Sequence, residues 1–406
     1  MKLKPTINLS AAISLALICA VSTPLIAAED LSSCATITTE HKGPPGPPGG
    51  KKEESAEEKA VKARMGNTST LMQTVAIPES VKACAKDSGY DRLVCLTNIL
   101  KTNVSDEMLK SLQLDYSVAT AKKWSNLPAG AFPSRPGVFM GEFSSEQRGV
   151  VKAIMQQAAS LSDNEGWDEM VQTMNADDYI STVSTDYKAG YSSYNTKIAF
   201  LGNPADEGVW QLYWGGHHFA FSNTYKNGKL IGATPSFRGV EPFPSFEMNG
   251  MTNIPMLQER DAFADLLNSL SKEQLAEALL EGTYTDVLAG PQADDAIPSE
   301  QEGISVAKLN EAQKALLMVA VRKYVGDIDD ADAQAYMEKY GAELSETVLG
   351  YSGSTDVKCE NDYVRIHGPS LWLEFSMESN KSTNKVGNHP HSVWRDIESD
   401  YGGQKQ

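Results

Sequence analysis

The chain has 406 residues and a formal charge of −17, from 36 Lys and Arg against 53 Asp and Glu. So acidic a balance argues against nucleic acid or an anionic membrane as partner, because phosphate binding needs a basic surface. It suits solubility and cation binding, and the long chain has room for a large core or two smaller ones.

Residues 1–28 read as an export leader. Lys2 and Lys4 make a basic n-region, Ile13 to Val21 an apolar h-region, and Leu25-Ile26-Ala27-Ala28 ends in small residues suited to cleavage after Ala28. The apolar run is short and broken by Thr23 and Pro24, so no stable membrane span is expected after cleavage. Bulky Ile18 before Cys19 argues against lipoprotein processing. Loss of the leader removes two lysines and no acids, which moves the charge from −17 to −19. The expected location is periplasmic or secreted. Cys34, Cys84, Cys95 and Cys359 then remain, an even set that suggests disulfides in an oxidising compartment. Cys84 with Cys95 is the favoured pair because Ser88-Gly89 offers a turn between them. Cys34 with Cys359 would be the other, with unpaired thiols as the alternative.

Residues 29–78 read as a linker. Gly43-Pro44-Pro45-Gly46-Pro47-Pro48 is too short to sustain a triple helix and acts as a spacer. The charged run Lys51 to Lys62 lacks large apolar residues, so the segment is expected to be disordered or loosely helical. A helical N-terminal segment, 79–127, follows, with helices expected at Ser80 to Lys86, Tyr90 to Lys101 and Ser105 to Trp124.

Residues 128–406 read as one α+β domain. Phe143-Ser144-Ser145-Glu146-Gln147, Leu270-Ser271-Lys272-Glu273-Gln274 and Leu309-Asn310-Glu311-Ala312-Gln313 each place glutamine three positions after a capping residue, the capping-box pattern that starts a helix. The apolar spacing behind them, such as Leu275, Leu279 and Leu280, gives core-facing stripes. Strands are expected in two blocks. The first comprises Lys197 to Gly202, Gly208 to Trp214, His217 to Asn223 and Lys229 to Thr234, with an Asn227-Gly228 hairpin turn. The second comprises Tyr363 to His367, Ser370 to Ser376 and His389 to Trp394, and a helical stretch from about Pro255 to Tyr340 separates the two. The fold class is therefore α+β, with a largely antiparallel sheet formed by mid-chain and C-terminal strands and packed with helices. That sheet would carry both histidine clusters, Gly216-His217-His218 and Asn388-His389-Pro390-His391.

The ordered set Gly216-His217-His218, Thr234-Pro235-Ser236-Phe237 with Gly239-Val240-Glu241-Pro242, His367-Gly368-Pro369 with Leu373-Glu374-Phe375, and His389 to Asp396 closed by Asp400-Tyr401-Gly402 resembles the bacterial family of domain of unknown function 3500. The likeness runs from about residue 125 to the C-terminus and implies no established activity. Pro390 and Ile397 depart from the family's pattern and leave its polar residues in place.

His389 and His391, at i and i+2, project to one face of a strand, which suits two imidazoles converging on one ion. Of His217 and His218 only one can join them, because neighbours on a strand alternate. Glu374 interrupts the apolar run Leu371 to Phe375 and is the first carboxylate candidate, with Glu241 second. Such a set suits zinc, iron or copper. A metal-free reading uses Arg395 as a bidentate anion fork and Asp396 or Asp400 as partner of a histidine in acid–base catalysis. The bland alternative is that these charges pin the tail. Arg238 is a further candidate anion contact, while His367, beside a Gly-Pro turn, and His41, in the linker, read as structural or idle. Trp210, Tyr213, Trp214, Phe219, Phe221 and Trp394 read as core first and pocket lining second. No Gly-x-Ser-x-Gly elbow, phosphate loop, His-Glu-x-x-His or dinucleotide fingerprint occurs. Two functions remain: a metal-dependent exported enzyme acting on a small-molecule or polymeric substrate by hydrolysis or oxidation, and a non-catalytic exported binding protein with a structural His/Arg/Asp tail.

Overall fold

A computed structural model describes residues 34, 55–65, 74–184, 189–205, 207–378 and 389–403. The leader 1–28, His41, the Pro/Gly run and Asn388 lie outside these residues. Within the linker a helix forms at Ala56–Arg64, started by a complete Ser55/Glu58 capping box. It docks through buried Val61 and through Arg64, which donates to Asn195 Oδ1 (3.1 Å) and Glu142 (3.0 Å).

Twelve strands form the main sheet. In chain order these are β1 (Gln113–Leu114), β2 (Val138–Phe139), β3 (Lys197–Leu201), β4 (Val209–Gly216), β5 (Phe219–Lys226), β6 (Lys229–Gly232) and β7 (Ser236–Gly239). After a separate small hairpin, β8 (Phe246–Met248) with β9 (Met251–Asn253), come β10 (Ile304–Ser305), β11 (Val348–Ser352), β12 (Tyr363–His367), β13 (Leu371–Glu378) and β14 (His389–Asp396). The spatial order is β1-β3-β4-β5-β7-β14-β13-β12-β11-β10, with β2 on β3 and β6 on β5. Among the pairs of these described strands only β1–β3 is parallel, so the architecture is α+β around a largely antiparallel sheet. The strand that joins the two blocks, β7, pairs with β5 at Phe219↔Arg238 and with β14 at His391↔Gly239.

The two faces differ. Phe375, Leu373 and Trp394 pack with Phe263, Leu317 and Val321 from the helices Leu257–Asn268 and Glu311–Val325. On the other face Val393, Phe237, Ala220 and Tyr213 meet Trp124 and Tyr401. All three capping boxes form with both hydrogen bonds, at Ser144/Gln147, Ser271/Gln274 and Asn310/Gln313. The six aromatic residues flanking the histidines are buried.

Three expectations need correction. Ser105 to Trp124 is not one helix: Asp106–Leu112 stops at extended Gln113, because the free edge of β3 takes Gln113–Leu114 as a strand, and Val118–Ala121 makes a separate turn of helix. Tertiary pairing here overrides helix propensity. His217 and His218 do not start a strand but form the two-residue turn between Gly216 and Phe219, a pair in the β4–β5 ladder, with His218 left-handed at φ 59°. The stretch from Pro255 to Tyr340 is helical only in parts, since 279–310 holds mostly loops with two short 3-10 turns and β10. The disulfides Cys84–Cys95 and Cys34–Cys359 join Cα atoms 5.8 and 5.3 Å apart. No helix among the described residues is long and apolar enough to cross a membrane.

Candidate metal centre

Register places the C-terminal histidines. On β14, residues His389, His391, Val393 and Arg395 share one face, and opposite them on β13 stand Glu378, Ser376, Glu374 and Trp372. Beside His391 on the other flank lies Gly239 of β7, whose amide donates to the His218 carbonyl at 2.8 Å. The His218 amide in turn donates to Asn126 O (3.0 Å), which fixes the turn. Gly239 leaves the space the rings fill: a Cβ there would lie 2.9 Å from His391 Cδ2 and 3.0 Å from His218 Cδ2. The two rings close over its bare Cα.

His218, His389 and His391 thereby converge, each offering one ring nitrogen within 4.8 Å of the others, and all three are buried. His389 Nε2 is 2.9 Å from His218 Nε2. Carboxylates flank the set. Glu378 Oε2 stands 3.4 Å from His389 Nδ1 and 3.9 Å from His391 Nδ1, while Asp286 Oδ1 is 2.8 Å from His391 Nδ1. The Asp286 side chain is 40% exposed against 4% for His391, so the centre meets solvent on the Asp286 side.

His217 is turned elsewhere. Its Nδ1 lies 2.5 Å from Asp177 Oδ1 on the helix Gly166–Val183, and its ring stacks on that of His218 at a centroid distance of 3.6 Å. It braces a neighbouring ring. The adjacent Asp178 accepts from Ser193 N and Oγ and from Asn249; burial pushes its carboxyl up to about 7, against the pull of those donors.

Glu374 shares the face of the histidines but faces other donors. It accepts from Leu288 N (2.6 Å), Ala289 N (2.8 Å), Tyr363 OH (2.7 Å) and Trp372 Nε1 (2.6 Å), and burial raises its pKa against these four bonds. Tyr363 also stacks on Tyr284 at 4.2 Å. The loop carrying Asp286 is thus held on both sides of that residue.

Arg395 and Asp396 occupy opposite faces of β14, both fully buried. Arg395 pairs with Asp294 and, through Nε, with Asp400 at 2.9 Å. Asp396 accepts from Lys339 (2.9 Å), Tyr340 OH (3.0 Å) and Ser399 N (2.9 Å). Their partners fix the tail, as does Trp124 Nε1 donating to Tyr401 OH at 3.0 Å. Arg238 faces the helices, bonded to Glu169 (3.1 Å) and Asp327 inside the protein rather than to an external anion. Glu241 is buried on the loop after β7.

Sequence reasoning missed Asp286, Glu378 and Asp177. Glu378 had a signal, being four positions beyond Glu374 and therefore on the same face of β13. Asp286 and Asp177 had none, since a loop and a helix bring them in.

Residues 86–403 match the family described as protein of unknown function (DUF3500), and the chain belongs to that family. The match begins well before residue 125, so most of the N-terminal helical segment is part of the family's domain rather than an addition to it. No curated protein and no solved structure matches the chain.

Proposed function

We propose that this chain is an exported metalloprotein whose His218, His389 and His391 bind a transition metal ion for hydrolytic chemistry. One observation carries the reading: three buried imidazoles from two distant parts of the chain offer nitrogens within 4.8 Å of one another. Three protein nitrogens with a coordination position left open is the arrangement of catalytic zinc sites, and imidazole also suits iron and copper. With this one ion bound, Glu378 and Asp286 at the Nδ1 sides of His389 and His391 orient the rings and raise their basicity. An ion held by these residues would supply a Lewis acid for a bound water and for a substrate carbonyl or phosphoryl oxygen. Two disulfides and the leader-like N-terminus support an oxidising, extracytoplasmic location. Arg395 and Asp396 serve the tail in this reading, because each is occupied by partners away from the histidines.

The test is elemental analysis of protein made without a histidine tag. We expect stoichiometric metal in the parent protein and its loss in a His389→Ala, His391→Ala variant with an unchanged circular dichroism spectrum. A parent protein that stays metal-free after equilibration with zinc, iron(II) and copper sinks the reading. It would favour the non-catalytic binding protein, which the fully engaged Arg395 and Asp396 also suit.

A further inference from the structure

We infer that the centre is dinuclear, with a second metal ion held by Asp286, Glu378 and His391 beside the ion on His218, His389 and His391. The inference rests on the three-imidazole reading and extends it. One ligand atom from each of Asp286, Glu378 and His391 falls within 4.8 Å of the others, a donor set that overlaps the imidazole set only at His391. Its separations bracket those of ligands around an ion. Donors bound at about 2.1 Å in tetrahedral geometry stand about 3.4 Å apart. Within the set, Glu378 Oε2 is 3.9 Å and Asp286 Oδ1 2.8 Å from His391 Nδ1.

The chemistry of the two sets is complementary. Three imidazoles favour zinc or copper, whereas two carboxylates with one imidazole make a harder site suited to zinc, manganese or iron(II). His391 turns Nδ1 toward the carboxylates, so in the dinuclear centre it gives Nε2 to the other ion and bridges the two as an imidazolate. Its ring proton leaves to solvent when the second ion binds. The second set is built from three anchored elements: β13, the paired strand β14, and the Asp286 loop tied down by Glu374. Its exposed member, Asp286, gives the second ion the more open position.

The experiment is metal titration of the full untagged chain, read by elemental analysis after dialysis against zinc and by paramagnetic resonance with copper(II). Two zinc ions per chain are expected, falling to one in an Asp286→Asn, Glu378→Gln variant of unchanged circular dichroism. With copper, the signal of the first equivalent should fall as the second fills, because imidazolate-bridged copper(II) ions couple antiferromagnetically. One zinc per chain in the parent overturns the second position and leaves the imidazole centre standing. Two zinc ions that survive in the carboxylate variant also overturn it, since the second ion then sits elsewhere. No zinc at all sinks both readings. Should the variant fail to fold, the copper titration of the parent chain decides alone, and a signal that simply doubles rules out the bridge.

Discussion

His218 and His389 stand 171 positions apart in the chain and bring their Nε2 atoms to 2.9 Å. The short strand β7 makes this possible, because it pairs with β5 next to the His217-His218 turn and with β14 at His391. The geometry therefore depends on a residue that touches no metal in any reading: Gly239, over which the rings of His218 and His391 close.

Gly239→Ala is expected to spread those rings while leaving the sheet intact. The added methyl sits about 3 Å from two ring carbons, an overpacking that costs roughly 1–3 kcal/mol. Metal affinity should fall by about 10- to 100-fold, the range seen when ligand orientation is disturbed. Competition against a chromophoric chelator measures the affinity and a urea titration the stability. Unaltered affinity in a destabilised protein would mean that the spacing of the rings does not govern binding.

Glu374→Gln tests the anchoring of the Asp286 loop. The carboxylate accepts four hydrogen bonds, and an amide of the same shape turns an NH2 group toward some of those donors. A loss of about 1–3 kcal/mol is expected for the buried groups left without an acceptor. Hydrogen exchange at Leu288 and Ala289 should quicken, and metal held through Asp286 should weaken. Exchange rates at those two amides that do not move would separate Glu374 from the loop.

Much of this was legible in the amino acids, and the failures share a cause. The capping boxes at Ser144, Ser271 and Asn310, the Asn227-Gly228 turn, the strand Tyr363–His367 and the strand expected at Ser370 to Ser376 and found at Leu371–Glu378 are local patterns, and local chemistry decides them. The α+β class followed from their order. Glu374 stood out because an acid in an apolar strand demands partners, but the sequence does not say whether those partners are an ion or four hydrogen-bond donors. His217 and His218 were readable as alternatives for one face; the turn that presents His218 to the centre and His217 to Asp177 depends on backbone left-handed at a non-glycine residue, which no side-chain pattern announces.

The two disulfides should contribute unequally. Cys34–Cys359 spans 325 positions and Cys84–Cys95 only 11, so loop-closure entropy assigns about 6 kcal/mol to the first and about 3 kcal/mol to the second. Paired Cys→Ser variants unfolded in urea without reductant give the comparison. A larger loss from the short loop would mean that native-state packing, rather than restriction of the unfolded chain, sets the contribution.

Stability should fall as pH rises through the neutral range, and a buried acidic cluster is the reason. Glu165, Glu169, Glu259 and Asp327 gather around Arg238 beneath β7, with Lys323 on Glu165 at 3.1 Å and Tyr324 nearby. Burial and then the charge of Asp327 push Glu169 up to about 8 and Glu165 to about 7; burial raises Glu259 and Asp327 as well, the latter against the pull of Arg238. These groups hold protons in the folded state that the unfolded chain has already released by about pH 4.5, Glu near 4.5 and Asp near 3.8. Their contribution is complete below that pH and is lost as pH climbs to about 8. Asp294, lowered through its bonds with Arg395 despite burial, works the other way and only at acid pH. Each retained proton makes unfolding easier by about 1.4 kcal/mol per pH unit across the window. Urea titrations at pH 5, 6.5 and 8 should show the decline, and Glu169→Gln should flatten it. Arg238→Met removes the cation at the centre of the cluster and should cost about 3–5 kcal/mol, with the larger loss at pH 8, where more of the carboxylates are ionised. A parent protein whose stability rises between pH 5 and 8 would show that these carboxylates are ionised in the folded state, each balanced by Arg238 or another cation.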